Sequence, residues 1–220
     1  MATGRNKSII GDFRGKLGQV VLSESFGVAT ARSAPGKGRR QPLSAKQKMH
    51  TSAFGKISSF LRAATKVINL GYQQPKNPRM SRFNAAVSWH FQNALIGDPE
   101  NAVITMEKLC FSCPVRKTQK AWEPELAADA ENKVTVAWKL NPRPQKCTQL
   151  DDTAVIVIYD NHINRFIVFE HAAPRSNMIF TWQADVWHKG HELYWYMFMI
   201  SSDKTLVSET QYLGKTTLKA

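Results

Sequence analysis

The sequence predicts an α+β chain in which a basic N-terminal hairpin and a two-helix hairpin precede an immunoglobulin- or fibronectin-like antiparallel β-sandwich. Three observations carry this reading. Apolar residues recur at three- and four-residue steps between residues 44 and 97, the period of a helix. From about residue 101 that period gives way to short β-rich runs separated by polar or proline-containing links. The charge divides near the same place: residues 1–90 hold 16 Lys/Arg and 2 Asp/Glu (+14), whereas residues 91–220 hold 14 and 15 (−1), which together make the net +13 of the 220-residue chain. The expected organisation is a basic, glycine-rich head over 1–43, a helical hairpin over 44–100 and a seven-stranded sandwich over 101–220.

In the head, residues 19–23 and 28–32 read as two short strands about a turn at Ser25-Phe26-Gly27. Alone, such a hairpin would be marginal. Residues 35–43 carry three positive charges and four Gly/Pro, and read as an extended connection. Ser44 and Gln47 have the spacing of a capping box, in which the serine oxygen accepts the N3 amide and Gln47 reaches back. Phe54, Ile57, Leu61, Ala64 and Ile68 then form one stripe on a single helix that Gly71 ends. A loop with Pro75 and Pro78 leads to Ser81, a cap for a second helix with Phe83, Val87, Phe91, Ala94 and Leu95 on its buried face and Gly97-Asp98-Pro99 as its stop.

The strands expected beyond are 102–111, 133–140, 153–159, 166–169, 178–182, 191–200 and 205–212. In 134–138, Val134, Val136 and Trp138 alternate with Thr135 and Ala137 as a half-buried strand should. Residues 191–200 are instead rich in aromatics and methionine on both alternating faces. Burial on both faces is the ordinary explanation, and an interface strand the second.

At 43% hydrophobic and 21% charged residues, the composition is that of a globular chain able to bury a core. The opening residues lack the apolar core of a secretion signal, and no apolar stretch approaches the roughly 20 residues of a membrane-crossing helix. Three cysteines, Cys110, Cys113 and Cys147, are too few for a disulfide scaffold and fit a reducing compartment. The expected location is cytoplasmic, or the virion if the chain is phage-encoded, with no membrane association.

Gly15-Lys16-Leu17-Gly18-Gln19-Val20-Val21, Arg32-Ser33-Ala34-Pro35, Pro42-Leu43-Ser44-Ala45-Lys46-Gln47, Phe54, Phe60, Gly71-Tyr72, Phe83-Asn84-Ala85-Ala86 and Ile96-Gly97-Asp98-Pro99 make the chain resemble an uncharacterised family common in Bacteroidota. The likeness spans nearly the full length. It implies a basic glycine-containing head, a helical hairpin and an immunoglobulin-like C-terminal domain, and brings no activity or cofactor with it. The opening motif is also similar to that of some phage-encoded proteins. His50 stands where that family usually has arginine, and Cys113-Pro114 replaces a glycine-containing stretch.

Neither a nucleophile with a positioned base nor a Gly-Lys-Ser/Thr phosphate loop is present, so no catalytic residue, enzyme activity, small-molecule substrate or cofactor is assigned. Cys110-Phe111-Ser112-Cys113 has zinc-knuckle spacing, and His188 and His191 are further donors, which keeps a zinc-containing binding module as a remote alternative; structural thiols are the preferred reading and no metal residue is assigned. The stronger feature is the basic head. Arg5, Lys7, Arg14, Lys16, Arg32, Lys37, Arg39, Arg40, Lys46 and Lys48 are the candidate nucleic-acid-binding residues, and such a cluster binds a polyanion through counterion release with little sequence specificity. The expected protein is a structural or assembly component whose head contacts a polyanion, nucleic acid first among them, while the sandwich makes protein contacts or self-assembles. Its rival is a phage or prophage virion component, a head or tail accessory, whose head inserts into a neighbouring subunit without binding nucleic acid.

Overall fold

The computed structural model describes residues 14–25, 28–36, 42–73, 80–97, 102–129 and 132–219. The turn residues Phe26 and Gly27, most of the 35–43 connection, the Pro75/Pro78 loop and the Asp98-Pro99 stop lie outside them. The chain is mixed α and β, with helices on one side of stacked antiparallel sheets.

The head contains three strands rather than two: β1 (Gly15–Leu17), β2 (Val20–Ser25) and β3 (Val28–Ser33) form a meander in that order. The added strand follows from the tight β1–β2 turn, where Leu17 pairs with Val20 and Gly18 adopts φ +58°, a backbone region that glycine enters without steric cost. On this sheet only Leu22 is buried among the side chains described.

The Ser44 capping box is present as predicted, with Ser44 Oγ accepting from Gln47 N–H at 3.3 Å and Gln47 Oε1 accepting from Ser44 N–H at 2.9 Å. The helix it opens is two helices. α1 (Ala45–Arg62) stops at Ala63, and α2 (Thr65–Gly71) restarts after Ala64, with Thr65 Oγ1 donating to the freed Arg62 carbonyl at 2.7 Å. The buried stripe is Ala53, Ile57, Leu61, Ala64, Val67 and Ile68, whereas Phe54 is 47% exposed. α3 (Arg82–Asn93) is capped by Ser81, whose Oγ accepts from Asn84 N–H. Its fully buried face is Ala86, Val87 and His90, continued by Ala94, with Phe83 and Phe91 only partly covered. Gly71 serves close approach rather than an unusual φ: a Cβ there would sit 2.1 Å from the Phe111 carbonyl oxygen.

The predicted strand over 102–111 is corrected. After β4 (Leu95–Ile96), only β5 (Val103–Ile104) pairs, followed by a 3-10 turn at Met106–Lys108; Leu109 and Phe111 then enter the core as plugs. The missing sandwich strand is β6 (Trp122–Ala128), an edge strand that tolerates Pro124 and bulges between Trp122 and Glu125. The others are β7 (Lys133–Lys139), β8 (Thr153–Asp160), β9 (Arg165–Pro174), β10 (Ile179–Gln183), β11 (Glu192–Ile200) and β12 (Gln211–Thr217). β12 overlaps its predicted run only at Gln211 and Tyr212, because 201–206 form a turn in which Ser201 Oγ and Thr205 N–H bond the Asp203 carboxylate.

These strands make two antiparallel sheets, β10-β7-β6 and β12-β11-β8-β9. Alternation along β11 sends Leu193, Trp195, Met197 and Met199 toward Val134, Val136 and Trp138 of the three-stranded sheet. Tyr196, Phe198 and Ile200 go the other way, into a core with Ile57, Leu61, Ile68, Val87 and Phe111 of the helical side. The four-stranded sheet is thus covered on both faces, so β11 is doubly buried. Trp138 is 3% exposed and donates from Nε1 to the Arg175 carbonyl. Among the described residues, no helix is long and apolar enough to cross a membrane.

Candidate functional site

The register of the head sheet determines what its basic residues can do. Lys16 pairs with Val21, and Val21 with Arg32, so the three side chains form a row across one face. Ser23 and Thr30 continue that face with a 2.8 Å hydroxyl contact. Leu17, Val20 and Leu22 occupy the other. Lys16 and Arg32 are exposed, while Arg14 forms a 2.7 Å ion pair with Glu24. Lys46 and Lys48 lie exposed in the opening turns of α1, whose first turn contains no acid. They therefore add to the positive end of the helix dipole instead of neutralising it. Arg5, Lys7, Lys37, Arg39 and Arg40 fall outside the described residues. The structure brings Lys16 and Arg32 together; it shows no such pairing for Lys46 and Lys48.

A second cluster has Asp160 at its centre. This last residue of β8 is fully buried, and its Oδ1 accepts the backbone N–H groups of His162 (2.9 Å) and Ile163 (3.2 Å), closing the turn to β9. Its Oδ2 lies 2.8 Å from Nδ1 of both His188 and His191. Burial pushes the carboxyl pKa up, but the bonds from His191, His188, Ile163 and His162 outweigh it and hold the pKa below the ordinary value. His162 stacks on His191 at a ring separation of 4.3 Å, and Trp182 meets His188 edge-on at 5.5 Å. Among the described residues, these three donors, Asp160, His188 and His191, are the group whose ligand atoms converge within 4.8 Å. Sequence reasoning paired the histidines with Cys110 and Cys113 and missed Asp160; the available signal was a polar Asp-Asn-His turn closing an uninterrupted apolar strand.

The cysteines lie elsewhere, beside a groove of about 980 Å³ whose walls include Tyr72, Trp89, Cys113 and Lys117. Cys110 Sγ donates to the Ser112 carbonyl at 3.0 Å, and burial pushes its thiol pKa up, which opposes thiolate chemistry. Its backbone N–H bonds His90 Nε2. Thr210 Oγ1 accepts from the N–H groups of Phe111 and Ser112, fixing this segment against the sandwich. Asp152 is fully buried, its Oδ2 3.0 Å from Arg175 Nη2, with Thr118 Oγ1 donating to the same oxygen at 2.7 Å.

The chain belongs to a family of unknown function, DUF6266, whose model matches residues 12–214. No curated protein matches the chain significantly.

Proposed function

We propose that this family member is a non-enzymatic structural or assembly protein whose basic N-terminal sheet contacts a polyanion, with nucleic acid as the partner. The observation that supports this best is the exposed Lys16–Val21–Arg32 row. It presents two cations on a flat face, beside hydroxyls that suit phosphate oxygens. No acid occurs between residues 25 and 97, so little opposes the field of the helical layer. The division of labour is a head over 1–43, a helical hairpin over 44–100 and a sandwich over 101–220 that meets protein partners, in the cytoplasm or in a virion.

The sandwich reading has its own support. Lettering β6 to β12 as A to G turns the sheets into E-B-A and G-F-C-D, an immunoglobulin-type order in which the fourth strand has joined the C-F-G sheet, as in fibronectin-like domains. Such sandwiches commonly serve as recognition modules.

Fluorescence anisotropy with a labelled duplex and with single-stranded RNA, across a salt series, tests the proposal on the full chain. Binding that weakens steeply with salt is expected. Absence of binding at low salt, or binding indifferent to salt, would reject it and favour the virion reading, in which the head inserts into a neighbouring subunit.

A further inference from the structure

We infer that Asp160, His188 and His191 form a mononuclear zinc site that clamps the β8–β9 turn to the β10–β11 connection. Three donor atoms, one carboxylate oxygen and two imidazole nitrogens, are aimed at one another from two segments, and imidazole with carboxylate is a donor set that zinc accepts. Asp160 is fully buried and each histidine side chain is only 12% exposed, so the cluster is nearly dry. A divalent cation bound there would offset the charge of the buried carboxylate.

The surroundings have the form of a ligand-orienting shell. The backbone N–H groups of His162 and Ile163 occupy Asp160 Oδ1 and leave Oδ2 to face the rings. Trp182 borders the His188 ring and His162 stacks on that of His191. Ligands on a tetrahedral zinc at bond lengths of about 2.0–2.1 Å stand about 3.3 Å apart, so the two 2.8 Å contacts open by about half an ångström to admit the ion. Small rotations of the two part-exposed rings supply that. With three protein ligands, the fourth position is left to water.

The test uses the full chain, stripped with chelator and titrated with Zn²⁺ by calorimetry, with Co²⁺ absorption as a report on ligand type. One ion per chain at micromolar or tighter affinity is expected, with visible d–d bands for Co²⁺ and no thiolate-to-cobalt charge-transfer band. His188→Gln and His191→Gln should each weaken Zn²⁺ binding at least about tenfold, while Cys110→Ser/Cys113→Ser leaves it unchanged. Both histidine variants retain the buried carboxylate and its backbone bonds, and circular dichroism checks that they fold; if either does not, His188→Asn and His191→Asn replace them. No saturable binding by the wild-type chain, binding that survives both histidine substitutions, or a thiolate band would overturn the assignment.

Discussion

His90 Nε2 accepts a 3.0 Å hydrogen bond from the backbone N–H of Cys110, while its Nδ1 lies 2.7 Å from the Ala86 carbonyl one turn back along α3. A single tautomer satisfies both, with the proton on Nδ1 and the lone pair on Nε2. A second proton would set two donors against each other in a fully buried place.

Acid should therefore destabilise the fold through His90. Burial lowers its pKa from 6.5 to about 4, so as pH falls below 6.5 the unfolded chain takes up a proton that the folded chain refuses. Stability is full above pH 6.5 and declines toward pH 4, by about 3 kcal/mol from this group. Urea unfolding at pH 7 and 4.5 should show most of that loss in the wild-type chain and a smaller one in His90→Gln. Equal pH dependence in the two would remove His90 as its source.

Breaking the Asp152–Arg175 pair should be costly. Asp152→Ala leaves a guanidinium that is 6% exposed without its carboxylate, a loss of about 3–5 kcal/mol. Replacing both partners with apolar residues, as in Asp152→Leu/Arg175→Met, should recover much of it. Chemical denaturation of Asp152→Leu, Arg175→Met and the double variant gives the coupling; additive losses would show that the pair does not act as a unit.

Gly71→Ala should destabilise although Gly71 lies in a helix, where alanine is ordinarily the better residue. The new methyl would meet the Phe111 carbonyl oxygen at 2.1 Å, and backbone must move to relieve it. A loss of about 1–3 kcal/mol is expected from overpacking. A thermal midpoint equal to or above that of the wild-type chain would show that the Phe111 segment yields freely.

For the polyanion proposal, Lys16→Glu/Arg32→Glu is the informative variant, since both positions are exposed and should leave the melting temperature unchanged. If each contacts one phosphate, the slope of log K against log salt should fall by about 2. An unchanged slope would move the contact away from this face.

Local chemistry was the legible part of the fold. The Ser44 and Ser81 caps depend on residues three apart and appear where the sequence places them. Apolar alternation located β7, and continuous apolar runs located β8 and β11. What escaped depends on partners distant in sequence. β6 carries Pro124 and two glutamates, poor strand residues that an edge position accepts. Leu109 and Phe111 have strand-like spacing, yet fill a core supplied by helices and sheet. The α1–α2 break occurs at Ala63 and Ala64, which carry no helix-stopping signal, and positions Ala64, Val67 and Ile68 on the sheet. Among the candidate sites, Lys16 and Arg32 were named from charge, but their shared row needed the third strand. Asp160 stands 28 residues before His188, and nothing local links them.

The two-sided burial of the β12-β11-β8-β9 sheet has a dynamic consequence. Val155, Val157, Tyr196 and Phe198 would meet water if the helices detached, and Ile156, Ile158, Trp195 and Met197 would do so if the three-stranded sheet did. Neither outer layer can leave without uncovering a row of large apolar side chains, so partial opening is nearly as unfavourable as complete unfolding. The backbone amides of residues 154–158 and 195–199 should accordingly be the slowest to exchange with deuterium, with one common rate-limiting event for both strands.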